Sequence, residues 1–503
     1  MIKGWTGKRL RIDLSLQKVW FEDIAQEVLR QWFGGRGLNA SFFSTHFQSP
    51  VSPSSPENPI AFSVGPLTGT LAPCSGWTSI ASFSPLPASP IYGFTWMPGY
   101  FGASLKGAGF DQLILQGKAE RPIYLWIDNG EVGFEDAGHL WGKETTETTI
   151  TIQEEKEDRN VEVLCIGPAG ERQIPFANVI HRLSWTGDYL GLGYLFGVKQ
   201  VKAIAIRGKK PITLHDPKQF LNLCLTLEDL IQKDRKVQKL KKGVKLSFLS
   251  QEGERMMKEG TGWLPAGLAK QWSTFLRANV SSREGCFTCP VNCGRNIQHH
   301  ESYFRGIHLE KAWHLGPQIG VYNGEWTLKL HQLCQSQGLD PYLTSFLLAK
   351  IMKGSEYGLL SEEDLPHIEH IQDQGEKAFV ILRRIIEGNR KEFYLPARPA
   401  SENKHLDALA DIISFCPIVV KHLTQRTVSN MINLIYSATG YFLSKEDLRD
   451  MVRNILRVES RLQNMGLAAN EYSPLPHPGE SQTSEILRRE ERNNESTAER
   501  ITS

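Results

Sequence analysis

The sequence predicts an α+β fold in which a β-sheet-rich N-terminal domain is followed by mostly α-helical domains. Up to residue 208, short runs rich in β-branched and aromatic residues alternate with glycine and proline turns. After residue 209, apolar residues at helical spacing dominate. The glycine content changes at the same place, since 25 of the 44 glycines lie in residues 1–208. Sheets with sharply bent loops, followed by helices, account for this pattern.

Six segments of the N-terminal part have the composition and length of strands. In chain order they are RLRIDLS, PIAFSVG, QLILQG, PIYLWID, VEVLCIG and KAIAIRG. Each is bounded by glycine, proline or polar turn residues, as expected of strands in a sheet-rich domain. We therefore expect sheets to form most of the core of this domain.

Two helices of the second part are predicted from their ends and their apolar faces. Asp216 followed by Pro217 forms an N-cap and first-turn pair, and apolar residues at helical spacing follow. Ser444 and Asp447 resemble a capping box in front of a long apolar stripe. Gly466 is expected to end that second helix.

Composition divides the chain into three parts. Residues 1–208 form the β-rich domain, residues 209–471 form the helical domain or domains, and residues 472–503 form a tail. The tail contains Pro, Ser, Glu and Arg without apolar periodicity, so we expect it to be disordered.

The overall composition excludes several classes of function. Lys+Arg 57 against Asp+Glu 55 leaves a formal net charge of +2, so no global field attracts nucleic acid or an anionic membrane. No apolar run is long enough to span a membrane, and the N-terminus has no apolar signal core. We expect a cytoplasmic protein, and in a reducing cytoplasm clustered cysteines hold metals more often than disulfides.

The most specific local motif is Cys286-Phe-Thr-Cys289-Pro-Val-Asn-Cys293. Three such thiolates can converge on one metal centre, and a [4Fe–4S] cluster commonly takes three close thiolates and a remote fourth. The spacing favours a cluster over a Cys3His zinc site completed by His299 or His300, because zinc ligands usually come as two separate pairs. The sequence leaves five possible remote ligands: Cys74, Cys165, Cys224, Cys334 and Cys416.

Four glycine-rich stretches lie in the β-rich domain: Phe33–Leu38, Gly65–Thr70, Gly99–Asp111 and Gly187–Gly197. Glycines let backbone N–H groups approach an anionic or planar ligand, and Arg36 or Lys106 would add positive charge. None of the four matches a dinucleotide fingerprint or a P-loop. Each alone is also compatible with a turn or a close helix–sheet contact, so spacing leaves a ligand cradle and a structural role open.

In combination these motifs resemble a known family. The order GGRGL, GPLTGT, GYFG, LKGAGFD, QGKAERPIYLWI, DAGHLWGKET, IGPAGE and KAIAIRG is similar to the first domain of tungsten-containing aldehyde ferredoxin oxidoreductases. The segment CFTCPVNCGR resembles the cluster loop in the helical part of that family. The similarity covers residues 1 to about 340 and resumes near Asp407–Gly466. Chance agreement over so many ordered motifs is not credible.

The resemblance implies a fold, cofactors and an activity. The fold is a two-layer β base, the cofactor domain, covered by two mostly helical domains. The cofactors are a tungsten (or molybdenum) bis-pterin and a [4Fe–4S] cluster beside one pterin. The activity is two-electron oxidation of an aldehyde or another oxo substrate at the metal, with electrons relayed singly through the cluster to ferredoxin.

The resemblance also assigns the cluster ligands. Cys286, Cys289 and Cys293 match the three close ligands of the family. The family's remote ligand closes a D-x-x-G-L-C motif, which falls on Asp411-Ile-Ile-Ser-Phe-Cys416, so Cys416 is the expected fourth ligand.

Further residues are implied around the pterin and the substrate. A second pterin-binding pattern, D-x-x-G-L-D, falls on Gln335–Asp340, so Asp340 and Asp411 are expected to bind the pterin. Glu310 matches a glutamate near the substrate cavity and is the expected catalytic residue, although a solvated helix face is an equally good account of it. The glycine-rich motifs supply the other expected cofactor contacts: Gly34, Gly35, Arg36, Gly37, Gly99 and Gly102.

The sequence departs from the family pattern at several places. Trp77 stands where family members have an arginine between cluster and pterin, so a positive charge beside an anionic cofactor is missing. Tyr189 and Leu190 replace an arginine and a glycine and would crowd a close backbone approach. Lys329 and Gln332 stand in place of the ligands of the family's interface iron. Between about residues 388 and 407 the chain lacks a long family segment that contains an active-site histidine.

Two main hypotheses follow. The first is an active enzyme of the family, and the second is a degenerate paralogue that keeps the cluster for electron transfer or assembly without a competent tungstopterin site. The cysteine spacing disfavours a third, a zinc-stabilised interaction protein. The expected partners are a ferredoxin or another iron–sulfur electron-transfer subunit and a small-molecule substrate. Nucleic acid and membrane are not expected, and any homo- or hetero-oligomer would form without the interface iron.

Overall fold

The computed structural model describes residues 2–86, 91–242, 266–352, 368–388, 395, 403–421 and 425–468. Its N-terminal part contains twelve strands: Lys8–Asp13 (β1), Lys18–Asp23 (β2), Ile60–Ser63 (β3), Trp77–Ser84 (β4), Ile91–Pro98 (β5), Gln112–Gln116 (β6), Ile123–Asp128 (β7), Glu131–Asp136 (β8), Glu162–Ile166 (β9), Val179–His181 (β10), Trp185–Thr186 (β11) and Val201–Arg207 (β12).

These strands form two six-stranded sheets with the orders β2-β1-β6-β3-β4-β5 and β11-β10-β9-β12-β7-β8. Strands β1 and β6 are parallel, as are β7 and β12, and the other pairs are antiparallel. One buried apolar core contains residues of both sheets, such as Leu10 and Phe62 from the first and Leu125 and Ile204 from the second. The expected two-layer β base is therefore present.

Helices lie between these strands and make up most of the later part of the described chain. In the N-terminal part they are Gln26–Trp32 (α1), Gly35–His46 (α2), Phe101–Ala108 (α3), Thr145–Glu155 (α4), Pro168–Glu171 (α5) and Leu192–Val198 (α6). The later helices are Pro217–Lys233 (α7), Arg235–Lys242 (α8), Ala266–Ala278 (α9), Leu309–His314 (α10), Gly324–Gln337 (α11), Pro341–Met352 (α12), Gln374–Glu387 (α13), Lys404–Ile412 (α14), Pro417–Val420 (α15), Gln425–Thr439 (α16) and Lys445–Ala468 (α17). Among the described helices, none combines the length and the apolarity needed to cross a membrane.

A small third sheet lies within the helical part. It is formed by Val280–Glu284 (β13), Gly294–His299 (β14) and Ser302–Ile307 (β15), in that order and antiparallel. The sequence did not predict it. The sheet matters for the site because the cysteine motif connects its first two strands.

The predicted elements are confirmed with one correction. All six predicted strands are present, as β1, β3, β6, β7, β9 and β12. The carboxylate of Asp216 caps α7, and the side chains of Ser444 and Asp447 form the predicted reciprocal bonds before α17. The predicted end at Gly466 is wrong, because α17 continues to Ala468 and a glycine ends a helix only where its backbone leaves the helical conformation. The predicted tail, residues 472–503, lies outside the described residues.

The two halves share one hydrophobic core. That core combines residues near the N-terminus, such as Leu29 and Phe33, with Phe220 of α7, Ile412 of α14 and Ile455 of α17. The composition change near residue 208 therefore does not separate two independently packed units. The junction also holds the cysteines.

Candidate functional site

The three close cysteines lie in the loop that joins β13 to β14. The amide of Cys289 donates a 3.0 Å hydrogen bond to the carbonyl oxygen of Cys286. Thr288 and Asn292 have left-handed backbones, with φ of 53° and 49°, so the loop turns sharply twice. As a result, the Cys286, Cys289 and Cys293 thiols lie close enough to shift one another's pKa.

Cys416 joins these three thiols from a distant part of the chain. It follows α14 and precedes α15, with Pro417 in the first helical turn. Burial, and then the neighbouring Cys289 and Cys293, raise the pKa of its thiol well above the ordinary value. The structure thus brings together the four thiols that the family resemblance assigns to one cluster.

A fifth thiol, that of Cys74, belongs to the same group. Its side chain is 1% exposed, and Cys289 is the neighbour that affects the pKa of its thiol most. Cys74, together with backbone N–H groups, lowers the pKa of Cys289 to about 7, whereas burial raises that of Cys293 to about 12. Of the five possible remote ligands, two are therefore at the site. Other neighbours surround the remaining three: Cys165, Cys224 and Cys334.

The arrangement suits a multi-iron cluster better than a zinc ion. His299 and His300 lie at the far end of β14, about 20 Å along the strand from Cys293. Among the described residues, no three His, Cys, Asp or Glu side chains stand at the spacing of ligands to one ion. Cysteine thiolates are the usual ligands of a [4Fe–4S] cluster, and each of them binds a different iron. The number and the kind of these four side chains are those that such a cluster takes.

Apolar residues surround the thiols. Trp77 is 7% exposed and belongs to the same buried core as Cys74 and Cys416. Its ring centroid lies 6.2 Å from that of Trp96. The residue that replaces the family's arginine therefore lowers the polarity around the cysteines, and low polarity disfavours isolated charges.

The first glycine-rich motif packs against the segment that carries the fourth cysteine. A Cβ atom on Gly35 would lie 2.1 Å from the carbonyl oxygen of Asp411, and one on Gly34 would lie 2.7 Å from that of Ile412. The amides of Gly34, Gly35 and Gly37 already donate to backbone carbonyls of the protein. The open space and the free N–H groups that a ligand cradle requires are therefore used by the chain itself.

The third glycine-rich motif supports the cysteine loop in the same way. The carbonyl oxygen of Gly99 accepts a 3.1 Å hydrogen bond from the amide of Phe287. A Cβ atom on Gly76 would lie 2.7 Å from that oxygen, and one on Gly102 would lie 2.6 Å from Oγ1 of Thr78. The predicted cofactor contacts Gly99 and Gly102 are thus packed against protein atoms.

Arg36 and Lys106, the two cations predicted to bind an anionic ligand, each form an ion pair with a buried carboxylate of the protein. Arg36 donates from Nε and Nη2 to the two carboxylate oxygens of Glu459, each at 2.6 Å, and its guanidinium lies 3.5 Å from the ring centroid of Phe94. Nζ of Lys106 lies 2.9 Å from the carboxylate of Asp111, and both side chains are fully buried. Neither cation is available to neutralise a phosphate without giving up a buried partner.

Replacing Gly35 by alanine is expected to lower the free energy of unfolding by about 3 kcal/mol, because the new Cβ overlaps a backbone oxygen that cannot move alone. Gly142→Ala is the matched control. Gly142 also has a positive φ, of 89°, but among the described residues nothing lies within 4 Å of its Cβ position. Only the backbone strain of about 1 kcal/mol applies there. Urea denaturation of both variants checks the prediction, and equal losses would contradict it.

A second group of buried polar residues lies where the β base meets the helical part. Asp340 caps α12 by accepting a 2.9 Å hydrogen bond from the amide of Tyr342, and it accepts another, of 2.6 Å, from the amide of Tyr189. Lys311 on α10 forms a 2.9 Å ion pair with Asp188. The carboxylate predicted to bind a pterin is therefore oriented by the backbone of its own protein.

A cavity of about 10 Å³, room for one water molecule, lies beside this polar group. Oγ of Ser184 and Nδ1 of His331 are buried at it without a hydrogen-bond partner among the described residues. Further polar residues line the cavity: Thr186, Lys311 and Gln335.

Three histidines that sequence analysis did not single out lie around Lys311. Burial, and then Lys311, lower the pKa of His308 to about 3 and that of His331 to about 3. Burial lowers the pKa of His314 to about 4. All three are neutral near pH 7. No local pattern predicts them, because they come from three places: the residue before α10, the end of α10 and the middle of α11.

Glu310, the expected catalytic residue, lies on the exposed side of α10. Tyr342 is partly buried, and burial, followed by the charge of Glu310, raises the pKa of its hydroxyl. Glu310 is therefore close to the polar group but on its solvent side. Its catalytic role stays a prediction.

The stability of the protein is expected to fall as the pH rises from about 4 to 7, through Asp340. Burial, and then Asp188, raise the pKa of Asp340 to about 7, whereas an unfolded chain titrates near 3.9. Between these values the folded protein binds the proton more tightly, so the free energy of unfolding decreases with pH, by at most about 1.4 kcal/mol per unit.

Urea denaturation of the wild type and of Asp340→Asn at about pH 5 and pH 7.5 checks this prediction. The midpoint of the variant should change less between the two pH values. The same pH dependence in both proteins would contradict the assignment to Asp340.

The residues that depart from the family pattern make contacts within the protein. Tyr189 has φ of 63° and its ring stacks on Tyr342 at 5.4 Å, and Leu190 is fully buried in the core of the β base. Lys329 forms a 2.7 Å ion pair with Glu325 one helical turn away. With the glycine positions filled and the cations paired, the residues predicted to hold a bis-pterin do not fit that group.

This fold and this site define a class of protein, a two-sheet β base with a helical cover whose junction holds buried thiols and a buried carboxylate group. Two family models match the chain: "Aldehyde ferredoxin oxidoreductase, N-terminal domain" over residues 9–208 and "Aldehyde ferredoxin oxidoreductase, domains 2 & 3" over residues 259–394. The chain belongs to the aldehyde ferredoxin oxidoreductase family.

Several characterised relatives are similar to the chain. The tungsten-containing aldehyde ferredoxin oxidoreductase of Pyrococcus furiosus is 32% identical over 380 residues, which are 73% of this chain and 61% of the relative. The enzyme of the same name from Thermococcus kodakarensis is 30% identical over 73% of this chain and 61% of the relative. The WOR-like subunit of an aliphatic sulfonate oxidoreductase from Pyrococcus furiosus is 26% identical over 76% of this chain and 64% of the relative. The match thus spans about three fifths of these relatives' length.

A solved structure has the same fold. The active site complex BamBC of benzoyl coenzyme A reductase with 1,5-dienoyl-CoA superposes with a TM-score of 0.77 at 18% identity, covering 92% of this chain and 90% of that chain. At this identity the likeness concerns the fold alone.

Proposed function

We propose that this chain is an iron–sulfur oxidoreductase of its family that carries a [4Fe–4S] cluster on Cys286, Cys289, Cys293 and Cys416. It would pass single electrons to a ferredoxin or to another iron–sulfur subunit. The observation that supports this most is the convergence of four thiols from two distant segments at one site, where Cys286 and Cys416 are buried and Cys289 and Cys293 are partly buried. Cysteine thiolates are the usual ligands of such clusters.

The bound cluster would supply one-electron transfer, and the residues of the chain hold and shield it. The amide of Cys416 donates a 2.9 Å hydrogen bond to the carbonyl oxygen of Cys74, which positions the fourth ligand. Oγ1 of Thr288 donates a 2.7 Å bond to the carbonyl oxygen of Ala72 and anchors the cysteine loop. Trp77 and the apolar core around it cover Cys416, and Cys289 and Cys293 pack against the same core.

A second candidate function is two-electron oxidation of an aldehyde or another oxo substrate at a tungsten or molybdenum pterin. The buried polar group of Asp188, Lys311 and Asp340 favours it, because it lies at the positions of family motifs and has the mixed charges of a ligand site. The relatives are also named as tungsten-containing. The filled glycine positions and the small cavity disfavour it, so we derive no step through a pterin.

Anaerobic purification followed by elemental analysis tests the proposal. About four irons per chain without tungsten or molybdenum would support a cluster protein that lacks the pterin metal. Tungsten or molybdenum near one per chain, together with iron, would instead support the second candidate. Zinc without iron would contradict both.

The electron partner needs a separate experiment. Two of the similar proteins are named as a subunit or as part of a complex, and we propose by analogy that this chain works with a partner. The cluster of the purified protein, once reduced, should transfer electrons to a ferredoxin mixed with it. Failure to reduce the ferredoxin, with the cluster intact, would leave a dedicated partner subunit as the acceptor.

A further inference from the structure

Cys74 lies between the two segments that carry the proposed cluster ligands. Its amide donates a 3.2 Å hydrogen bond to the carbonyl oxygen of Thr288 in the cysteine loop, and its carbonyl oxygen accepts one of 2.9 Å from the amide of Cys416. Its φ is 62°, in the left-handed region that costs a non-glycine residue about 1 kcal/mol. Bonds to both ligand segments therefore hold Cys74 in a conformation that it would not adopt alone.

The thiol of Cys74 points into the ligand group. Its side chain is 1% exposed, and the thiols of Cys289, Cys416 and Cys286 are the neighbours that act on it electrostatically. The backbone bonds hold Cys74 next to Thr288, which precedes one ligand, and next to Cys416, the ligand that the family resemblance assigns to the fourth position. Cys74 is therefore an additional thiol beside a complete set of four ligands.

We propose that Cys74 is a positioning residue whose S–H group donates a hydrogen bond to the cluster-bound sulfur of Cys289 and keeps the reduction potential of the cluster high. This inference rests on the proposed function. A hydrogen bond to a ligand sulfur stabilises the extra negative charge of the reduced cluster, and cluster potentials depend on such bonds. The apolar surroundings strengthen the effect, since the bond acts in a medium of low dielectric constant.

Redox titration of the anaerobically purified protein, followed by electron paramagnetic resonance, tests this role. Cys74→Ala removes the donor, so its midpoint potential should be lower than that of the wild type with the iron content unchanged. Cys74→Ser keeps an O–H donor and should lie closer to the wild type. Cys224→Ala, a buried thiol in the same core, is the matched control and should leave the potential unchanged.

The outcomes separate the inference from the function on which it depends. An unchanged midpoint in Cys74→Ala with full iron content would overturn the inference while the proposed function stands. Loss of iron in both Cys74→Ala and Cys74→Ser, with iron retained in Cys416→Ala, would make Cys74 the ligand and also overturn it. A wild type without iron would overturn the proposed function and the inference together. A lower stability of Cys74→Ala without a shift in potential would mean a purely structural role.

Discussion

Arg36→Met is expected to lower the free energy of unfolding by about 3–5 kcal/mol. The Arg36 and Glu459 side chains are 6% and 2% exposed and meet in two 2.6 Å hydrogen bonds. Burial lowers the pKa of Arg36, but Glu459 and then Asp411 outweigh it and raise the pKa above its usual value. Methionine would leave the Glu459 carboxylate buried without its cation, and an uncompensated buried charge is costly.

Chemical denaturation of Arg36→Met beside two other variants measures this effect. Arg453→Ala breaks an exposed ion pair with Asp450 on the same helix, α17, and should cost less than about 1 kcal/mol. The double variant Arg36→Met/Glu459→Met should regain much of the stability, because the carboxylate that is hydrogen-bonded to Arg36 is removed together with it. A loss in Arg36→Met no greater than that in Arg453→Ala would show that the buried pair contributes little.

Cys416→Ala is expected to cause a severalfold loss of iron from the anaerobically purified protein. The methyl group of alanine cannot bind iron, and three remaining thiolates leave one iron of the cluster without a protein ligand. Elemental analysis and the visible absorption of the cluster measure the loss. The same loss is expected for Cys286→Ala in the cysteine loop.

Cys334→Ala is the control for these ligand variants. Cys334 is buried in another core, where burial raises the pKa of its thiol to about 12 and its neighbours include Thr344 and Asp340. Its removal should therefore leave the iron content at the wild-type level. Full iron content in Cys416→Ala would refute its assignment as the fourth ligand. Iron loss in Cys334→Ala as large as in Cys416→Ala would show that cavities in general, and not ligand loss, release the cluster.

Much of the fold follows from short-range pattern. The six strands with regular β-rich composition are predicted correctly, and so are the starts of α7 and α17, because capping and periodicity act within a few residues. The other six N-terminal strands are missed: β2, β4, β5, β8, β10 and β11. Of these, β4 is buried along its whole length, and β5 contains a glycine and ends in a proline, which weakens the alternating pattern. The small sheet β13–β15 is missed because polar residues dominate its first strand.

The site is predictable only in part. The spacing of Cys286, Cys289 and Cys293 indicates a metal centre without any tertiary information. The role of the glycines is different, because a glycine motif indicates that something approaches the backbone closely but not what approaches. At Gly34 and Gly35 the approaching group is the protein's own segment around Asp411 and Ile412.

The sequence by itself determined the family, the alternation of sheets and helices, and the loop with three thiols, because these depend on residues that are neighbours in the chain. The tertiary structure alone decided that Cys74 joins Cys416 at the thiols, that Arg36 is paired with Glu459, and that neutral histidines surround Lys311. These contacts join segments far apart in sequence. Only packing, which brings such segments together and removes water from between them, sets their distances and charges.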